Sequence, residues 1–362
     1  MMERAREGVT DRDERVADRD VPRLDVWRRA VFALRPEEFM ALLLYLPVAV
    51  TLAVMGGARP EALSSPASSY PGVLARLLVL LFSAALLVWV ARAKPHWKLV
   101  RDAMPFVLCA NLYASLHDLI RVYRAPDITG VLYRWDLALF GFEPAIWAER
   151  FIHPLLTDYF TVCYWLFYVL APLLGLLLYL RKDFRAFRAT MVSVVLCIYL
   201  GYIGYVAWPA SAPRLFIPGA FAVPLHGLEI LDFTRAATVA VPLTAHGAFP
   251  SLHCAVALLA VLLAWRHLRW FAWLQMPLAG GLILGTVYLR HHWVVDILAG
   301  FVLTFFAYWA GPRLEDWWSA HAGWSGERET MEDSPMRRPP ASAKNVRESD
   351  ETPRVAANVM ES

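Results

Sequence analysis

Two histidines and a carboxylate, His253, His292 and Asp296, stand at the ends of long apolar stretches. A titratable side chain near a membrane is costly, so one found there marks a place of work. His292 and Asp296 are four residues apart, so on a helix both side chains project from one face. In that arrangement Asp296 takes a hydrogen bond from one ring nitrogen and leaves the other free to attack an electrophile. Upstream, Pro250-Ser251 precedes an apolar run whose first backbone N–H groups would form an anion seat. His253, in the first turn of that run, is placed to protonate a leaving oxygen. A third element, Trp208-Pro209-Ala210-Ser211-Ala212-Pro213-Arg214, uses two prolines to present an arginine whose planar fork suits phosphate. The three elements together describe phosphoryl chemistry with a nucleophilic histidine.

The elements that must position these groups are membrane helices. Of the 362 residues 58% are hydrophobic, and 15 Trp with 14 Tyr supply rings of the kind that anchor helices at a lipid–water interface. About eight stretches are apolar and long enough, or nearly so, to span a bilayer: 40–57, 73–91, 105–120, 159–180, 190–208, 251–268, 270–289 and 293–309. The expected fold class is therefore an all-α integral membrane protein. The third stretch is interrupted by Asn111, His117 and Asp118, which either line a headgroup pocket or bond between helices. Gly281 and Gly285 are spaced for close helix–helix contact. Cys109, Cys163, Cys197 and Cys254 lie in apolar stretches at spacings that match no metal pattern, and read as small core residues.

Positive charge assigns the sides. The N-terminal arm is Arg-rich, and so are the connections carrying Arg92, Lys94, Lys98 and Arg101, then Arg181, Lys182, Arg185 and Arg188, then Arg266 and Arg269. Two alternate connections are poor, with Arg59 alone in one and Arg214 and Arg235 in the long 209–250 segment. The connection with Arg121, Arg124, Arg134 and Arg150 departs from the pattern but is much longer. The balance places the protein in the cell membrane as a multi-pass chain, both termini in the cytoplasm and His253 and His292 on the extracytoplasmic face. Residues 1–38 read as a charged arm without the apolar core of a signal peptide, and 313–362 as a disordered cytoplasmic tail. The connections 121–158 and 209–250 are long and too apolar for simple disorder, as expected of interfacial segments or lids.

The ordered set Arg214, then Pro250-Ser251-Leu252-His253, then His292 with Asp296 resembles the phosphatidic acid phosphatase type 2 superfamily of membrane lipid phosphatases and phosphotransferases. The resemblance covers roughly residues 105–311 and implies a six-helix core, 104–312, with two added helices in 39–103. It implies that His292 is the nucleophile forming a phosphohistidine, that His253 is the general acid and base, and that Asp296 orients His292. Arg214 and Ser251 fall at its phosphate-binding positions. The chain departs from the common pattern at three places, with Ala207 for a Lys, Leu252 for a Gly and Gly285-Thr286 for Ser-Arg. Arg290 and His291 are candidates to supply the missing phosphate contacts. Pro-Ser-Leu-His and Tyr288-Leu289-Arg290-His291-His292 look most like the inositol phosphorylceramide synthase branch, which moves an inositol-phosphate headgroup from a phospholipid to a lipid alcohol.

The implied partners are a phospholipid donor, a lipid alcohol or water as acceptor, and the bilayer, with no nucleic acid. No cofactor or metal is required by this chemistry. A zinc site from His253, His292 and Asp296 is the alternative reading of the same residues, and it lacks a fourth ligand. A phosphatase acting on phosphatidic acid or a polyprenyl phosphate, and a lipid-phosphate transporter without turnover, are the competing functions. His226, His246 and Asp232 lie in the long connection and are expected to meet solvent.

Overall fold

The structure is a computed structural model, and it describes residues 31–57, 70–92, 98–123, 125–230 and 246–322. Most of the charged arm, residues 231–245 with Asp232 and Arg235, and the tail from 323 lie outside the described residues. Among the described residues the chain forms twelve α-helices and no β-strand; a single parallel bridge joins Ala210 to Gly247. This is what a bilayer demands, since a helix satisfies its backbone groups within one segment.

Helices α1 (Pro36–Gly57), α2 (Tyr70–Arg92) and α3 (Lys98–Tyr123) pack on one another, and α1 and α3 also pack on α8 (Phe184–Ala207). Short α4 (Thr129–Phe140) and α5 (Pro144–Trp147) follow, then a 3-10 turn (Ala148–Phe151). Next come α6 (Pro154–Trp165), α7 (Phe167–Leu180) and α8. After short α9 (Pro213–Phe216), the bundle closes with α10 (Leu252–His267), α11 (Arg269–Tyr288) and α12 (Val294–His321). Six helices (α1, α2, α3, α8, α11 and α12) are long and apolar enough to cross a membrane, and α6–α7 make a seventh span if counted together. The expected single helix over 159–180 is thus two helices bent by 48° at Leu166. Pro172, inside α7, cannot donate to the preceding turn and is the sequence feature nearest that bend.

The sixth expected stretch, 251–268, becomes α10, which has 16 residues, a rise of about 24 Å. It is short because it is central: α7, α8, α11 and α12 all pack on it, and most of its side chains are buried. Glycines permit that density. A Cβ on Gly300 of α12 would come within 2.6 Å of the Ser251 carbonyl, and one on Gly204 of α8 within 2.5 Å of Pro250. Gly281 and Gly285 are close-contact positions as expected, facing Cys163, Tyr159 and Phe160 of α6. All four cysteines are free and buried.

The end of the bundle away from the histidines is tied by charge. Arg35 bonds Asp102 at 2.5 Å and Arg101 bonds Glu38 at 2.5 Å. Arg188 joins both Glu37 and Glu315. Trp318 Nε1 donates to the Leu34 carbonyl at 2.8 Å. Two expected boundaries move as a result. The arm ends earlier than residue 38, because Arg35, Glu37 and Glu38 are buried in these pairs. Helix α12 continues to His321, past the expected tail start at 313, because Glu315 and Trp318 pack inward. Buried ion pairs of this kind hold position firmly, since removing one partner strands the other's charge at about 3–5 kcal/mol.

Asn111 and Asp118 work in a second seam, between α2 and α3. Asn111 Nδ2 donates to Ser83 Oγ at 2.6 Å, and Asp118 pairs with Arg76 at 2.7 Å. A cavity of about 140 Å³ lies beside them, lined by Arg76, Asn111 and Ser115 among others.

Candidate active site

Three segments far apart in sequence meet where α8 and α11 end and α10 and α12 begin. Backbone bonds knit them. Ala248 N donates to Ala210 O at 3.0 Å and Ala210 N to His246 O at 3.1 Å, so the two ends of the long connection lie side by side. Ser251 N donates to Asp296 O at 3.0 Å, and Arg214 N to Arg290 O at 3.2 Å. Trp293, fully buried, donates its indole N–H to Ser211 O at 2.9 Å. Each motif is thus held by another motif rather than by its own helix.

His292 lies in the turn between α11 and α12 and is 3% exposed. Its Nδ1 is 3.4 Å from Asp296 Oδ2, the expected orienting pair at a long distance. The same oxygen accepts the Trp293 backbone N–H at 3.0 Å, which fixes the carboxylate at the start of α12. Facing it, His253 stands with its ring centroid 5.6 Å from that of His292. Tyr164 stacks on His253 at 4.4 Å and on His291 at 4.5 Å, while Phe167 closes on His253 at 4.5 Å. The imidazole of His253 is therefore positioned by aromatic faces from α6 and α7. Among the described residues its Nδ1 has no hydrogen-bond partner.

Burial pushes the His292 imidazole down to about 3; a backbone hydrogen bond with Ala248 acts against this and the Arg214 charge adds to it. The sign favours a nucleophile, because the neutral ring carries the attacking lone pair. Phosphorylation of His292 by an activated phosphodiester should therefore keep its rate between pH 7 and pH 5. Rapid-quench measurement of the burst checks this, and a fall centred on histidine's ordinary value near 6.5 would contradict it.

Arg214 is exposed, with Nη1 2.6 Å from His291 Nδ1, so the two act as one polar group at the rim. Ser251 is fully buried, and its hydroxyl accepts from Cys254 N as the N-cap of α10. Its side chain serves the helix, and any anion contact falls to the backbone. Arg290 departs from expectation. Its guanidinium is held by Glu149 at 2.9 Å and by the Val223 carbonyl, and lies 4.1 Å over the Phe221 ring. That commits it to the long connection rather than to phosphate. Its backbone, at φ 63°, makes the turn that delivers His291 and His292. Asn111 and Asp118, bonded to α2, are likewise not among the residues grouped around the histidines.

Sequence reasoning missed Asp136. Fully buried on α4, it accepts the backbone N–H of Val294 at 2.8 Å and of Val295 at 3.0 Å, capping α12 from 158 positions away. A carboxylate on exposed α12 N–H groups also complements the helix dipole. No local signal marks it, because the cap and the helix belong to different parts of the chain. Tyr164 and Glu149 were equally invisible, each acting through a distant partner.

Among the described residues no group of three or more His, Cys, Asp or Glu side chains could hold a metal ion, which removes the geometric basis of the zinc alternative. No curated protein and no solved structure matches the chain. Residues 131–310 match the family model of the PAP2 superfamily; the matched segment begins inside α4 and carries all three motifs.

Proposed function

We propose that the protein is a phosphotransferase that moves a phospho-headgroup, of the inositol-phosphate kind, from a phospholipid to a lipid alcohol through a phosphohistidine on His292. The observation that carries this reading is the buried His292 facing His253 at 5.6 Å beneath aromatic rings, with Asp296 behind it. A nearly dry nucleophile favours an acceptor that arrives from the bilayer over bulk water.

In the first step His292 Nε2 forms a bond to phosphorus as the P–O bond to the lipid breaks, and His253 donates a proton to the departing diacylglycerol oxygen. Arg214 with His291 and the α10 N-terminal amides offset the charge on the non-bridging oxygens. In the second step the acceptor hydroxyl forms its P–O bond, gives its proton to His253, and frees His292. Water as acceptor makes the same residues a phosphatase, which is the second reading. The charge-stabilising groups are all protein groups, so the reaction should proceed undiminished in EDTA.

Purified protein given phosphatidylinositol or phosphatidic acid with a long-chain lipid alcohol tests the reading by mass spectrometry. A new headgroup-bearing lipid, formed only with acceptor and in EDTA, is the expected product. Inorganic phosphate from phosphatidic acid with no acceptor-dependent lipid would make the protein a phosphatase instead.

A further inference from the structure

Residues 221–229 of the long connection are tied down at two points, each by a carboxylate that lies outside the motifs. Glu149, on the turn after α5, accepts the backbone N–H of Ala222 at 3.3 Å and of Val223 at 3.2 Å. Arg290 crosses from the other side, bonded to Glu149 and to the Val223 carbonyl, with Phe221 under its guanidinium. Six residues on, Asp158 of α6 accepts from Leu228 N at 3.0 Å and Glu229 N at 3.4 Å. Between these anchors Leu225 packs against the cluster of Phe160, Tyr288 and Leu289, on which Tyr164 also packs. Tyr164 is the ring stacked on His253 and His291. The segment is thus a strap fastened beside the site, and Arg290, which it holds, is two residues from the nucleophile.

We infer that this strap selects the acceptor: Glu149 and Asp158, through it, are positioning residues that keep water from phosphohistidine and leave a lipid hydroxyl to resolve it. The inference rests on the transferase reading above. Water and a lipid alcohol undergo the same step, in which the His292 Nε2–P bond breaks, the acceptor O–P bond forms and the proton passes to His253. They differ in route. Water comes from the solvent, and a lipid alcohol comes from the bilayer around the helices. Backbone bonds to two carboxylates, four in all at 3.0–3.4 Å, tie the loop at both ends.

The test partitions one intermediate. Wild-type protein, Glu149→Ala, Glu149→Gln and Asp158→Ala are given phosphatidylinositol and a long-chain lipid alcohol in ¹⁸O-labelled water. Transferred lipid and ¹⁸O-bearing headgroup phosphate are then counted. Glu149→Ala and Asp158→Ala should each raise the hydrolysis-to-transfer ratio about tenfold or more while donor consumption changes less than about threefold. Glu149→Gln, which keeps one acceptor oxygen, should fall between. Parallel loss of both products at a constant ratio would overturn the strap and leave the transferase reading standing. A wild-type protein that makes only the ¹⁸O product would overturn both.

Discussion

Replacing His292 with Ala should reduce turnover by roughly 10⁴-fold or more, in the range seen when a covalent nucleophile is removed. The magnitude follows from the site. His292 is nearly sealed from solvent, and burial keeps its ring neutral, so the attacking nitrogen is lost with the side chain. His291 cannot substitute, since its Nδ1 is engaged with Arg214 and its ring is stacked on Tyr164. The variant should fold, because Asp296 retains the Trp293 N–H and the start of α12 keeps its Asp136 cap. Steady-state assay with circular dichroism as a folding control checks the prediction; activity within tenfold of wild type would remove His292 from the chemistry.

His253→Gln should separate the two steps. A general acid is worth about 10²–10⁴-fold, and the loss should appear in full with a phospholipid, whose alkoxide is a poor leaving group. With an activated p-nitrophenyl phosphodiester the first step needs little protonation, so that step should recover most of its rate. The second step still lacks its base, and the phosphohistidine should accumulate as a burst. The geometry supports this division, because His253 stands 5.6 Å across from His292 and is held by Tyr164 and Phe167 rather than by a carboxylate. Equal impairment with both substrates, with no burst, would mean that His253 positions substrate and moves no proton.

The membrane fold was legible because a bilayer imposes one dominant pattern. Each expected stretch contains a helix, and the spacing of Gly281 and Gly285 correctly marked a close contact with α6. The candidate site residues stand out in the sequence because they form local strings, Pro-Ser-Leu-His and His-x3-Asp; His292 itself lies in the turn before α12 rather than on a helix with Asp296. What failed was everything carried by long-range pairing. Arg290 looked like a phosphate ligand because it adjoins His291, and only the fold reveals Glu149 and Val223 waiting for it. Glu315 looked like the start of a tail because its partner, Arg188, lies 127 positions away. Asn111 and Asp118 left two readings open, a headgroup pocket or a bond between helices, and Ser83 and Arg76 of α2 supply partners for the second. In each case the partner lies far away in sequence and could not be read from the neighbourhood.

The most direct test of the account is to catch the covalent intermediate. His253→Gln protein mixed with the p-nitrophenyl phosphodiester, quenched in alkali and digested, should yield a peptide phosphorylated on His292, alkali-stable and acid-labile, at close to one per chain. Full phosphodiester cleavage with no modified His292, or a label on any other residue, would contradict it.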